Sequence, residues 1–151
     1  MDGLTPKYLT VDEFIARLGD EAMQLAGRGL RDHREIDRDK LAAALTHADG
    51  VIDGYVKARY PRIFAIVPEV LKGAAHDIAR YRLRAIGGQQ TAMAEAVKDQ
   101  YGEAMKLLRD IADGRHVLDT DDDGEADNNN GNLMNASQPD ARVPRMLDGF
   151  R

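Results

Sequence analysis

The sharpest chemical pattern in the chain is acidic. Asp119, Asp121, Asp123 and Gly124 fall at positions 1, 3, 5 and 6 of a calcium loop, where carboxylates converge on a hard cation and glycine permits the turn. Asn130 stands where the bidentate glutamate belongs, Ala126 where a larger apolar anchor is usual, and no helical pattern follows. These three aspartates are therefore candidates for a loose cation site at most, and the reading adopted is a solvated acidic linker with no metal and no cofactor. Nucleophilic chemistry is thinly supplied: the chain has no cysteine, and its one serine is Ser137. His33, His47, His76 and His116 are scattered without metal-ligand spacing. His76 and Asp77 are adjacent, and neighbouring positions on a helix face different sides. Arg80 and Arg84 share a helix face while Arg82 points elsewhere, so the three arginines form no stripe for a phosphate backbone. Pairing with neighbouring helices or chains accounts for them as well. No residue is assigned a catalytic role, and the expectation is a protein that is not an enzyme.

The elements that carry these residues are helical. Thr10 and Glu13 form a capping box, and Val11, Phe14, Ile15 and Leu18 follow at helical spacing until Gly19. A second short helix is expected over residues 20–27, with Asp20 as its N-cap. Residues 28–39 alternate in charge and read as a solvated connection. The strongest helical signal begins at Asp37 or Asp39 and runs through Leu41, Leu45, Ala48, Ile52 and Val56, ending at Tyr60-Pro61. Gly50 and Gly54 lie inside it, and a closely packed neighbour would explain them. Residues 61–67 form an apolar loop, and Pro68 suits a first helical position. A third long segment carries Leu71, Ala74, Ala75, Ile78, Leu83 and Ile86 up to Gly87-Gly88. A fourth runs from about Thr91 to Asp113, with Gly114 just beyond its end. No alternating strand pattern occurs.

The charge distribution divides the chain further. Of 151 residues, 43% are apolar and 31% charged, and the net charge is −5. Residues 1–118 hold 18 basic and 18 acidic side chains, whereas residues 119–151 hold 3 and 8. The predicted organisation is a helical domain over 1–118, an acidic linker over 119–132 and an apolar docking arm over 133–151. The fold class is all-α: a compact bundle of three long helices plus one or two short N-terminal helices, with an extended C-terminal arm. Val143, Met146, Leu147 and Phe150 are the expected partner-docking residues, since apolar groups at the end of a polar tether gain by being covered. No apolar run is long enough to span a bilayer, the N-terminus lacks the order of a signal peptide, and no basic block marks strong nucleic-acid binding.

Several stretches in succession resemble the head–tail adaptor (head-completion) proteins of Mu-like phages and prophages. They are Tyr8-Leu-Thr10, Ala48-Asp-Gly-Val-Ile52-Asp53-Gly-Tyr55-Val-Lys-Ala-Arg59-Tyr60-Pro61, Val67-Pro68-Glu-Val-Leu71, Asp77-Ile78-Ala79-Arg80-Tyr81 and Tyr101-Gly-Glu-Ala104-Met-Lys-Leu-Leu108-Arg-Asp-Ile111-Ala-Asp-Gly114. The resemblance covers roughly residues 8–118, in order and with matching spacing. The loop after Tyr60 departs from the pattern in lacking a second early proline, and the linker and arm lie outside it. The resemblance implies a structural protein of the virion neck, assembled in the bacterial host cytoplasm. It further implies identical subunits, commonly twelve, in a ring beneath the portal protein, with a tail-side stopper or tail-completion protein below and DNA passing through the lumen without sequence-specific contact. A small cation-binding or regulatory helical module using residues 119–124 is the alternative function.

Overall fold

A computed structural model describes residues 4–30, 33–62, 64–87 and 94–120. Three long helices form a bundle: α3 (Arg38–Val56), α4 (Glu69–Ile86) and α5 (Glu95–Ala112). Two short helices, α1 (Val11–Leu18) and α2 (Glu21–Ala26), precede them. α4 lies between α3 and α5 and packs extensively on both, while α1 and α2 cover α3 and α4. The all-α bundle with two short N-terminal helices is thus as the sequence predicts.

Local chemistry explains most boundaries. Thr10 caps α1 in a full capping box, with Glu13 N–H donating to the Thr10 hydroxyl at 3.2 Å and Thr10 N–H donating to Glu13 Oε2 at 3.0 Å. Asp37 rather than Asp39 caps α3, accepting from Lys40 N–H at 3.1 Å. Gly114, at φ +78°, turns the chain out of α5. The core is aliphatic, with Leu45 and Ile52 of α3, Leu71 and Ile78 of α4, and Leu108 and Ile111 of α5 meeting Phe14 of α1. Burying such side chains is worth roughly 1.5–3 kcal/mol each.

Four details differ from the sequence reading. Residues 28–39 are not merely a connection: β1 (Gly27–Arg28) pairs antiparallel with β2 (Glu35–Ile36), and Asp37 N–H donates to Ala26 carbonyl at 2.6 Å. Two paired residues per strand are too few to produce an alternating pattern. Pro68 precedes α4 as its N-cap, extended at ψ 138°, because its carbonyl already accepts the first helical bonds from Leu71 and Lys72. α5 begins at Glu95 rather than Thr91. Gly50 and Gly54 are exposed, and a Cβ at either would meet nothing within 4 Å, so no neighbour within this fold requires them.

Candidate functional site

An N-terminal clamp is built from two aspartates one helical turn apart on α3. Asp49 is 8% exposed and accepts the backbone N–H of Lys7 at 2.7 Å and of Tyr8 at 3.2 Å, one on each carboxylate oxygen. Burial raises its pKa above the ordinary carboxylate value, against the two N–H bonds that favour the charge. Asp53 accepts from Lys7 Nζ at 2.7 Å, from Tyr8 hydroxyl, and pairs with Lys57 Nζ at 3.1 Å. Burial opposes its charge, but these donors outweigh it and hold the pKa below the ordinary value. The Tyr8 hydroxyl is correspondingly raised, by burial first and then by Asp53. Tyr8 and Leu9 thereby enter the core from a bend held against α3.

The arginines at 80 and 84 are turned inward on the same principle. Glu21, at the start of α2, receives Arg80 Nε at 3.1 Å, Arg80 Nη2 at 2.8 Å and Arg84 Nε at 2.9 Å. Arg80 Nη1 also donates to Gln100 of α5 at 2.8 Å. Burial works against the Glu21 charge, yet the two guanidinium groups lower its pKa. Arg82 makes none of these bonds; the pKa of the largely exposed His47 is lowered by partial desolvation first and then by the positive charge of Arg82. The sequence showed that Arg80 and Arg84 share a face; it did not show that α2 would supply their counter-charge.

His76 departs from its expected isolation. Its Nδ1 lies 3.0 Å from Asp77 Oδ1, and its ring meets Phe14 edge-on with centroids 5.6 Å apart. Neighbouring helical positions diverge by about 100°, but Nδ1 and Oδ1 are each only two bonds from their Cβ, and the contact closes that angle. His33 and His47 are exposed and His116 is half-buried. Among the described residues no three histidine or acidic side chains converge to hold a metal ion. Asp119 belongs to the described residues, while Asp121 and Asp123 lie outside them, as do Ser137 and the docking residues Val143, Met146, Leu147 and Phe150.

Several clefts open on the described surface. A cleft of about 570 Å3 is lined by Arg59, Tyr60, Pro61, Arg62, Phe64 and Thr120. Its floor is tied down by Tyr60, which stacks obliquely near Phe64 at 5.9 Å and accepts the N–H of the buried Leu118 at 3.0 Å. The Arg59 guanidinium lies against Gly114, where any Cβ would collide with it. A second, shallower groove of about 320 Å3 runs between α4 and α5. No described helix is long and apolar enough to cross a membrane.

These features define a small all-α domain in which a clamped N-terminal layer closes over a three-helix bundle. Residues 8–136 match the family described as Bacteriophage Mu, Gp36, and the chain belongs to that family. It is 28% identical over 109 residues to the Mu-like prophage FluMu protein gp36 of Haemophilus influenzae, a stretch covering 72% of this chain and 74% of that relative. The family match runs beyond Leu118, where the sequence resemblance stops, through the acidic stretch of 119–132 and into the first residues of the arm, so these are not wholly outside the family pattern as the sequence reading had them.

Proposed function

We propose that this protein is a structural component of the virion neck, a head–tail adaptor whose identical subunits form a ring below the portal. The carrying observation is the match of residues 8–136 to a phage Mu protein family. The fold supports the reading, since Asp49, Asp53 and Glu21 act on Lys7, Tyr8, Arg80 and Arg84 to hold the subunit together. Glu21 engages both Arg80 and Arg84, which halves their combined charge and turns their guanidinium groups toward α2 rather than toward a phosphate backbone, as suits a ring through which DNA slides. In this reading the protein is not an enzyme. The tail-side face meets a stopper or tail-completion protein, and Val143, Met146, Leu147 and Phe150 anchor on the portal or an adjacent subunit.

The test is the mass of the full chain by light scattering and its particle shape by electron microscopy, alone and mixed with the portal protein of the same phage. A ring, or a stable complex with the portal, is expected. Failure to form either, or tight DNA binding at physiological salt, overturns the proposal.

A further inference from the structure

The groove between α4 and α5 has a composition that selects its occupant. Its floor is Ala74 and Ala104, both buried, and its walls are Val70 and Leu107. It is open beside Gly73, where an added Cβ would meet nothing within 4 Å. Asp77 and Glu103 supply its polar rim, and no lysine or arginine lines it. Such a groove suits a short apolar segment flanked by cations: a few aliphatic side chains fill the floor, and guanidinium groups meet the carboxylates.

The chain carries such a segment. Residues 142–151 read Arg-Val-Pro-Arg-Met-Leu-Asp-Gly-Phe-Arg, with three arginines against one aspartate. The 21 residues from 121 to 141 span about 25 Å even as a relaxed coil, close to the length of an 18-residue helix at about 1.5 Å per residue. The starting point is favourable too, since Thr120 lies beside the loop that leads into α4. The larger cleft is the wrong receptor. Arg59 and Arg62 line it and repel an arginine-rich segment, whereas the acidic residues that begin at Asp119 complement them.

We propose that the α4/α5 groove receives residues 142–151 of this chain. Val143, Met146 and Leu147 cover Ala74 and Ala104, and Arg142 and Arg145 pair with Asp77 and Glu103. This gives the docking arm of the proposed function a receptor on the subunit itself or on its neighbour, and it rests on that arm reading but not on ring formation.

The absence of cysteine makes the test direct. Gly149→Cys in the full chain gives a single thiol, to which a benzophenone maleimide is attached. After irradiation, the crosslinked peptides are mapped by mass spectrometry. Crosslinks to residues 70–77 and 102–107 are expected. They should fall about fivefold or more in the double variant Gly73→Leu and Glu103→Lys, which fills the groove and reverses one rim charge. Crosslinks concentrated on residues 59–65, crosslinks scattered over the surface, or a yield unchanged in the double variant overturn the proposal. Mixing isotopically light and heavy chains shows whether the segment comes from the same subunit or a neighbour, and either origin supports it. Because crosslinking is read on monomer and ring alike, a protein that docks its arm yet forms neither ring nor portal complex refutes the adaptor reading alone.

Discussion

Replacing Glu21 with alanine should be among the most damaging single changes outside the aliphatic core. Its carboxylate is 16% exposed and answers two guanidinium groups that are each 21% exposed. Removing one partner of a fully buried pair costs about 3–5 kcal/mol, because the other charge is left without compensation. Fully exposed pairs contribute about 0–1 kcal/mol. Glu21 lies between these limits and faces two cations, so about 2–3 kcal/mol is expected for Glu21→Ala. With a urea slope of about 1.5–2 kcal/mol per molar, the unfolding midpoint should fall by about 1–2 M. Circular dichroism through a urea titration measures this directly. A double-mutant cycle with Arg84→Ala should return a coupling above about 1 kcal/mol, since contacting charges in one network are not additive. Replacing Glu21, Arg80 and Arg84 together by methionine should recover most of the loss, because no buried charge is then stranded. A midpoint for Glu21→Ala within about 0.3 M of the parent, or strict additivity with Arg84→Ala, would refute the argument.

Two further outcomes follow from the clamp and the caps. Asp49→Asn keeps one acceptor oxygen and turns the other into an NH2 group that faces a backbone N–H, of Lys7 or of Tyr8. It should cost about 1.5–3 kcal/mol and speed hydrogen exchange at the Lys7, Tyr8 and Leu9 amides; unchanged exchange there contradicts the clamp. Acid should weaken the fold through Glu13, whose pKa falls from 4.5 to about 2, chiefly through Lys72 and then through Thr10. Its folded value lies below its unfolded one, so its contribution is complete above about pH 5 and disappears as pH falls toward 2. Glu21 and Asp53 act in the same direction, while Asp49, raised by burial, partly opposes them. Glu13 is 40% exposed, so solvent screening limits its share to about 1 kcal/mol. Melting temperature against pH should therefore decline over that window and decline less in Glu13→Gln; identical slopes would remove Glu13 from the account.

What the sequence made legible is what is local. The Thr10–Glu13 box, the Asp37 cap, the turn at Gly114 and the stripe from Leu71 to Leu83 are all decided within about one or two helical turns. The long-range pairings left weaker traces. Asp49 and Asp53 are four apart beside the apolar positions Ala48 and Ile52, and a carboxylate at the edge of a core demands donors. Such a pair calls for donors, a signal the sequence reading did not use and one that does not name Lys7 and Tyr8, more than 40 residues away. Arg80 and Arg84 likewise announced a shared face, and only tertiary packing supplied Glu21. For the proposed docking pair the sequence suggested an apolar arm over 133–151, but the α4/α5 groove could not be read from it. Glycine and alanine at 73, 74 and 104 look like ordinary helix residues until two helices are placed side by side.

The distribution of ion pairs explains why the N-terminal layer was the harder part to read. Among the described residues, no ion pair joins α3, α4 and α5 to one another; those helices meet mainly through aliphatic side chains at helical spacing, with the Tyr81–Tyr101 stack and the Arg80–Gln100 hydrogen bond added between α4 and α5. The N-terminal layer is attached differently. Lys7 reaches Asp53, Arg38 reaches Asp12, Arg17 reaches Glu69, Lys72 reaches Glu13, and Arg80 and Arg84 reach Glu21. Each link crosses from the first 21 residues to a long helix, and each has opposite charges far apart in the chain. α2 buries only Ala22 and Ala26, so its hold on α4 depends on Glu21 more than on apolar area. Acid and salt should thus act first on this layer and last on the bundle. The near-zero net charge of residues 1–118 is, on this view, partly the trace of a layer joined to its bundle by opposite charges.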